Sequence, residues 1–173
     1  FYAGMAAASG HPALKAVSPQ APVTDWFRGD DFHHNGVFFY MDAFDFYVAG
    51  GFGRPHPVPL EKETAMPDVY DSKDNYAFYL RHGALKNLLK FTGDSIAFFQ
   101  QLYQHPNEDA WWKARNARVA QYNIKPAVLV TGGLFDAEDC YGAWNLYKAI
   151  RAQSPATDAR LVMGPWYHGQ WGS

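Results

Sequence analysis

The sequence predicts an α/β fold in which a parallel sheet is interrupted by a large helical insertion. The runs at 127–131 and 159–163 are mostly apolar and bounded by turn residues, which is typical of buried strands. A helical stretch at 140–152 separates them, and two strands joined in this way lie parallel in one sheet. Between about 26 and 125 the chain is instead rich in aromatic residues and shows no clear strand.

The start of the chain fits the same plan. The small, apolar residues at 1–9 predict a helix that ends at Gly10, and 14–18 predicts a short strand that Pro19 ends. A helix followed by a strand is the second half of a βαβ unit. Since the helix lacks a capping residue and the first residue is Phe1 rather than Met, we expect the protein to contain sequence before Phe1.

The middle of the chain predicts helices. A densely aromatic segment at 37–48 ends at a glycine pair and is followed by a proline-rich loop. Apolar residues then recur at helical spacing in three stretches, at 75–80, 94–103 and 108–122. We therefore predict three parts: an α/β core segment at 1–27, a helical cap at 28–125 and the rest of the α/β core at 126–173.

The composition of the 173 residues narrows the choice of partners. Hydrophobic residues make up 48% of the chain and aromatic residues 17%, which suits a packed core and an apolar pocket. The net charge of −2, without a cluster of Lys or Arg, argues against nucleic acid and anionic membrane surfaces. No apolar stretch reaches the roughly 20 residues that span a bilayer. A small-molecule substrate is the expected partner.

Two glycine-containing loops follow the predicted strands, and they carry Asp136 and His168. The carboxyl ends of parallel strands collect catalytic groups, and α/β-hydrolases place the acid and the base of a triad there. Asp136 would then orient His168 through a hydrogen bond. Alternatively, Asp136 caps the next helix and His168 is a surface residue. No Gly-x-Ser-x-Gly occurs, so the chain shows no nucleophile.

Glu138 and Asp139 follow Asp136 closely. Acidic residues in the first turn of a helix are stabilised by the helix dipole, which is sufficient to explain both. Three carboxylates within four residues nevertheless repel one another, and a ligand that carries an ammonium group would relieve that repulsion. At roughly 4 Å and an effective dielectric near 20, each such contact is worth about 4 kcal/mol before desolvation.

Other chemistry is less well supported by the pattern. The run Asp30-Asp31-Phe32-His33-His34 could hold a metal, but adjacent histidines point in different directions and no second ligand cluster is evident. A polar loop that enters the cap is the simpler interpretation, so we predict neither a metal nor another cofactor. Cys140, the single cysteine, lies in the predicted helix and lacks the sharp turn of a nucleophile.

Taken together, these strings resemble the acyl-esterase family that includes X-Pro dipeptidyl peptidases, and within it the α-amino acid ester hydrolases. The resemblance is carried by Gly132-Gly-Leu-Phe-Asp-Ala-Glu-Asp139 and by Gly164-Pro-Trp-Tyr-His168. It implies that Asp136 and His168 are catalytic and that Glu138 and Asp139 bind the α-ammonium group of the substrate. The segment 25–36 resembles the one that holds a third carboxylate, matched here to Asp31, with Asp30 as the alternative.

The resemblance also implies a reaction. A serine before Phe1 would be the nucleophile, and esters and amides of α-amino acids, including β-lactams with an amino side chain, would be the substrates. Without that serine, residues 1–173 alone should be inactive. A homo-oligomer and a periplasmic or secreted location are expectations of the family. The alternatives are a general acyl esterase, an X-Pro dipeptidyl peptidase, or a segment that binds ligand without catalysis.

Overall fold

A three-stranded parallel sheet forms the centre of the α/β part of the chain. The computed structural model describes residues 1–48, 70, 74–92 and 96–172. These residues fall into two compact units, residues 1–39 with 108–173 and residues 40–107. The second unit lies within the predicted cap, and the predicted domain boundaries themselves stay predictions. Among the described residues, no helix has the length and apolar character that a bilayer crossing requires.

The first unit contains the sheet and the helices that cover it. In chain order its elements are α1 (Tyr2–Ala8), β1 (Ala16–Val17), β2 (His33–His34) and β3 (Val37–Phe38), then, after residues 40–107, α6 (Ala110–Lys113), a 3-10 turn (Ala117–Ala120), β4 (Ala127–Gly133), α7 (Cys140–Gln153), β5 (Ala159–Gly164) and a second 3-10 turn (Gln170–Gly172). The strand order is β1-β4-β5, with β4 in the centre and parallel to both neighbours. The parallel sheet predicted from the sequence is confirmed.

Alternation along β4 explains how the sheet is covered. Val128 and Val130 are buried against α1 and α7, whereas Leu129 between them is 41% exposed. From α7, Leu146 and Ile150 complete the same cluster, because residues four apart lie on one face of a helix. This packing fixes the direction of β4, and therefore the place where its loop emerges.

The structure corrects two local predictions in the first unit. Residues 26–125 were expected to contain no strand, yet β2 and β3 pair as an antiparallel hairpin. Asn35 and Gly36 join them with φ values of 51° and 82°, which is the left-handed turn that Asn-Gly favours. The helix predicted at 108–122 is broken into α6 and a 3-10 turn, because the Asn116 side chain accepts the Arg118 N–H and donates to Asp25.

The second unit is helical in the part that the structure describes. Its elements are α2 (Tyr40–Val48), α3 (Asn75–His82), a 3-10 turn (Leu85–Leu88), α4 (Leu89–Thr92) and α5 (Ala97–Gln104). Fully buried Phe44, Phe78 and Phe99 form its centre, with edge-on and tilted ring contacts among them and their neighbours. The predicted helices at 75–80 and 94–103 correspond to α3 and α5. The predicted proline-rich loop and glycine pair lie outside the described residues.

Candidate active site

The loops that follow β4 and β5 are hydrogen-bonded to each other. The Leu134 N–H donates to the Gly164 carbonyl, and the Phe135 N–H donates to the Trp166 carbonyl at 3.0 Å. A Cβ atom on Gly133 would lie 2.1 Å from the Trp166 oxygen, so only glycine allows this approach. The contact places the side chains carried by the two loops next to each other.

Asp136 and His168 form a hydrogen-bonded pair at this edge of the sheet. His168 Nδ1 lies 2.9 Å from Asp136 Oδ2. The Asp136 side chain is 1% exposed, whereas that of His168 is 52% exposed. Since Nδ1 faces the carboxylate, Nε2 is the nitrogen that can exchange a proton with a substrate or a nucleophile. The geometry is that of the acid–base pair predicted from the sequence.

The other oxygen of Asp136 organises the loop. Asp136 Oδ1 accepts the backbone N–H groups of Glu138 and Asp139, each at 3.0 Å. The alternative to catalysis was that Asp136 caps the next helix, but the residue at the cap position of α7 is Asp139, and Asp136 instead closes the turn before it. The two oxygens of Asp136 face different partners, so the turn contact and the contact with His168 exist together. Asp139 is the residue that precedes α7, and its side chain makes no capping hydrogen bond.

Three carboxylates meet beside this pair. One oxygen from each of Asp31, Glu138 and Asp139 lies within 4.8 Å of the others, and Asp139 Oδ2 lies 3.7 Å from His168 Nδ1. The structure therefore brings together the residues that the sequence assigned to the substrate ammonium. We call Asp31, Glu138 and Asp139 the carboxylate cluster. Its binding role stays a prediction.

The cluster is too crowded to carry a full negative charge on every member. Burial, then the nearby charges of Asp31, Asp30, Asp136 and Glu138, raises the pKa of Asp139 well above its usual range. Burial also raises the pKa of Asp31, whose carboxylate lies close to that of Asp139. Asp139 Oδ1 is buried and receives no hydrogen bond from a described donor. The cluster thus retains a proton near neutral pH and leaves one acceptor unused.

Asp30, the alternative third carboxylate, has a different place. Its side chain is fully buried, and Oδ2 accepts hydrogen bonds from the Thr24 N–H, the Thr24 hydroxyl and the Asp25 N–H at 2.7, 2.8 and 2.8 Å. Burial raises the pKa of Asp30 to about 6. These contacts make Asp30 the internal anchor of the loop, while Asp31 reaches the cluster.

We predict that Asp139→Asn makes the stability of the protein less sensitive to pH. A carboxyl whose folded-state pKa lies above the unfolded value, about 3.9, costs stability as the pH rises above that value. Each pKa unit corresponds to about 1.4 kcal/mol at high pH, and asparagine removes the titration. The melting temperature of the variant should therefore exceed that of the wild type more at pH 8 than at pH 5.

Thermal melts of the whole protein between pH 5 and pH 8 check this prediction. Asp158→Asn is the matched control, because Asp158 is 63% exposed and, within the described part of the chain, its side chain pairs with the exposed Arg160 alone. Parallel pH profiles for the wild type and Asp139→Asn would contradict the assignment of a buried, protonated carboxyl.

His33 and Cys140, which the sequence also raised as candidates, lie in surroundings that fit a structural role. The buried ring of His33 lies between Phe27 and Phe38, with centroid distances of 4.8 and 4.9 Å, and burial lowers its pKa. Burial and Asp136 raise the pKa of the Cys140 thiol, which is the opposite of what activates a nucleophile.

Among the residues that the structure describes, two overlapping sets of side chains have the spacing of a cation site, namely Asp136, Asp139 and His168, and the carboxylate cluster itself. Both contain Asp139. Three clustered carboxylate oxygens suit a hard metal cation as well as an organic ammonium, and the oxygens alone do not distinguish the two.

A cavity of about 340 Å³ borders the acid and the cluster. Asp136 and Glu138 form part of its wall, which leaves room for a substituent of a bound molecule beside the carboxylates. The remaining lining residues are Arg28, Gly29, His34, Asn35, Ala137, Cys140 and Tyr141.

The sequence analysis singled out the segment that holds Asp31 but missed the contacts that support Asp31 within it. The Trp26 indole N–H donates to Asp31 Oδ2 at 2.9 Å. Asp25 accepts from the Phe27 and Arg28 N–H groups and from the Asn116 amide and Arg118 guanidinium, which ties the loop to the segment before β4. No periodic pattern marks these residues, and only their nearness to Asp31 in sequence could have drawn attention to them.

A parallel sheet that delivers an aspartate from one strand and a hydrogen-bonded histidine from the next defines the α/β-hydrolase class. Within that class, residues 1–170 match the model of the X-Pro dipeptidyl-peptidase (S15) family. The chain belongs to this family. No curated protein matches it significantly.

Two solved structures extend the comparison. One is a selenomethionine-labelled α-amino acid ester hydrolase, with 28% identity and a TM-score of 0.81 over 98% of this chain. The other is an aminopeptidase from a marine sediment archaeon, Thaumarchaeota archaeon, with 34% identity and a TM-score of 0.73 over 92% of this chain. The chain spans only 27% and 26% of their lengths.

Proposed function

We propose that the whole protein is a serine hydrolase and acyltransferase that acts on esters and amides of α-amino acids with a free α-ammonium group. β-Lactams that carry such a side chain belong to the proposed substrates. The observation that carries the proposal is the carboxylate cluster beside the Asp136–His168 pair. A cationic group bound there lies next to the proton-transfer machinery.

The charge state of the cluster favours an ammonium group over a neutral one. A bound ammonium donates three hydrogen bonds and brings a positive charge to three crowded carboxylates. It would take the place of the proton that the cluster retains and would give the unused Oδ1 of Asp139 a donor.

The residues then have distinct roles in acyl transfer. Nε2 of His168 takes the proton of a serine from outside residues 1–173 as the serine oxygen attacks the acyl carbon, and returns it to the leaving alcohol or amine. Asp136 holds the Nδ1–H tautomer and stabilises the imidazolium. Water, or an amine acceptor, then attacks the acyl-enzyme with His168 again as the base.

The comparisons support this choice of substrate. One structural relative is named an α-amino acid ester hydrolase and the other an aminopeptidase. Substrates of both kinds carry a free amino group next to the reacting carbonyl. A general acyl esterase would have no use for three convergent carboxylates, whereas an X-Pro dipeptidyl peptidase would cleave one residue further from the ammonium.

Substrate pairs test the proposal. We expect kcat/KM of the whole protein for phenylglycine methyl ester to exceed that for phenylacetic methyl ester by about 10²-fold, because charge-assisted hydrogen bonds contribute about 1.5–3 kcal/mol each. Mandelic methyl ester, with a hydroxyl in place of the ammonium, controls for the electronic effect of the substituent. Equal rates on all three esters would refute the ammonium site.

Two further measurements separate the alternatives. Faster release from an Xaa-Pro anilide than from the amino ester would identify a dipeptidyl peptidase instead. Calorimetric binding of the amino ester without turnover would support a segment that only binds ligand.

A further inference from the structure

We propose that Trp26 is a positioning residue that sets the selectivity for an α-ammonium group by holding Asp31 in the carboxylate cluster. This inference rests on the proposed function of the cluster. The indole N–H of Trp26 donates to Asp31, so its effect reaches the substrate through Asp31.

The hydrogen bond between the two side chains is well formed. The indole Nε1–H of Trp26 donates to Asp31 Oδ2 at 2.9 Å. Asp31 has a φ of 48°, in the left-handed region that non-glycine residues rarely adopt. Aspartate tolerates this region better than most residues do, and the hydrogen bond from the indole helps to hold the conformation.

The indole itself is held by aromatic neighbours. Phe1 stacks on it at 6.4 Å with an interplanar angle of 18°, and Phe32 meets it at 5.5 Å and 60°. Phe32 is 5% exposed, so one wall of this arrangement belongs to the core. The ring packing fixes the direction of the N–H bond, which then fixes the direction of the carboxylate.

The loop between the two residues is also rigid. Asp30 accepts three hydrogen bonds from Thr24 and Asp25, which closes the chain around residues 24–30. Trp26 and Asp31 lie on this closed loop, five residues apart. A shift of Asp31 away from the cluster would therefore require a change at Trp26 as well.

The indole also influences which carboxylate keeps the charge. Asp31 receives a donor from Trp26, whereas Asp139 Oδ1 receives none from the described residues. A hydrogen bond to the charged form of a carboxylate favours that form, so Asp31 is the better anion of the pair. Without the indole N–H, Asp31 would lose both its direction and part of its charge.

Trp26→Phe in the whole protein tests this role, because phenylalanine keeps an aromatic ring and lacks the N–H. We expect KM for phenylglycine methyl ester to rise about tenfold, the effect of one hydrogen bond to a charged group, with kcat within twofold. Both constants for phenylacetic methyl ester should stay within twofold. A merely structural role would lower activity on the two esters equally.

Controls keep the result interpretable. Trp144→Phe removes an indole from α7, at a side chain 39% exposed. It should leave the ratio of the kcat/KM values for the two esters unchanged. If Trp26→Phe does not fold, benzothienylalanine at position 26 keeps the bicyclic shape and lacks the N–H. If the folded variant at position 26 has the wild-type ratio of kcat/KM values for the two esters, the proposal is overturned.

Asp31→Asn separates this inference from the proposed function. If Asp31→Asn abolishes the preference for the amino ester and Trp26→Phe does not, Trp26 has no positioning role and the ammonium site stands. If Asp31→Asn also leaves the preference intact, the ammonium site itself is wrong.

Discussion

Asp136→Asn is expected to lower kcat for ester hydrolysis by about 10⁴-fold while the protein stays folded. The Oδ1 atom of asparagine can still accept the Glu138 and Asp139 N–H groups, so the turn persists. The amide nitrogen, however, would face His168 Nδ1 and donate to it. His168 would then carry its proton on Nε2 and could not act as the base.

Steady-state kinetics and thermal melts of the whole protein check this expectation together. Asp158→Asn, which changes an exposed carboxylate, should leave both quantities unchanged. A loss of less than tenfold in a folded Asp136→Asn variant would mean that His168 does not depend on this carboxylate. Asp136→Ala is a poorer test, because it removes the turn as well as the charge.

The second large effect concerns specificity. The double substitution Glu138→Gln and Asp139→Asn removes the charge that these residues offer to a cation and preserves their size. We expect kcat/KM for phenylglycine methyl ester to fall by about 10²-fold or more, mainly through KM, because each charged hydrogen bond contributes about 1.5–3 kcal/mol. Phenylacetic methyl ester makes no such contact and should be hydrolysed at nearly the wild-type rate.

The two esters make this experiment its own control. Equal losses on both substrates would show that the double variant damages the catalytic pair, since Asp139 Oδ2 lies 3.7 Å from His168 Nδ1. A loss confined to the amino ester supports the ammonium site. Unchanged kinetics on both would assign Glu138 and Asp139 to the start of α7 alone, the structural role that the helix dipole explains.

Much of the candidate site at the edge of the sheet could be predicted because its signals are local. Two apolar strands end in glycine-containing loops, and the parallel order of β4 and β5 then brings Asp136 to His168. Asp31 could be placed only through a family resemblance, since residues 31 and 136 are far apart in sequence and no periodicity joins them. Its contact with Asp139 depends on tertiary structure.

The features that the sequence analysis did not predict have equally specific causes. The Asn35-Gly36 pair is a recognised hairpin signal, but the dense aromatic residues around it suggested a helix. The stretch at 108–122 has helical spacing, yet the contact of Asn116 with Asp25 ends the helix from a distance that a local pattern does not show. The support of Asp31 by Trp26 is of the same kind, since it rests on side-chain orientation.

The raised pKa of Asp139 lowers the stability of the folded protein. Keeping a carboxyl buried at 3% exposure beside other acids lowers stability above the unfolded pKa, and a bound cation offsets this. Binding of an amino ester should therefore be linked to release of a proton from the cluster. On the proposed function, the cluster lowers stability and contributes to recognition, a combination that is common at functional sites.

The turn at Asp136 also fixes the distance between the carboxylate cluster and the imidazole of His168. One carboxylate oxygen of Asp136 accepts two backbone hydrogen bonds, which fix the positions of Glu138 and Asp139. The other oxygen fixes the position of the imidazole. On the proposed function, the separation between the bound nitrogen and the carbonyl under attack is fixed by this short stretch of backbone. A substrate whose amino group lies one carbon further from the carbonyl could not place its nitrogen at the cluster and its carbonyl at the nucleophile at the same time.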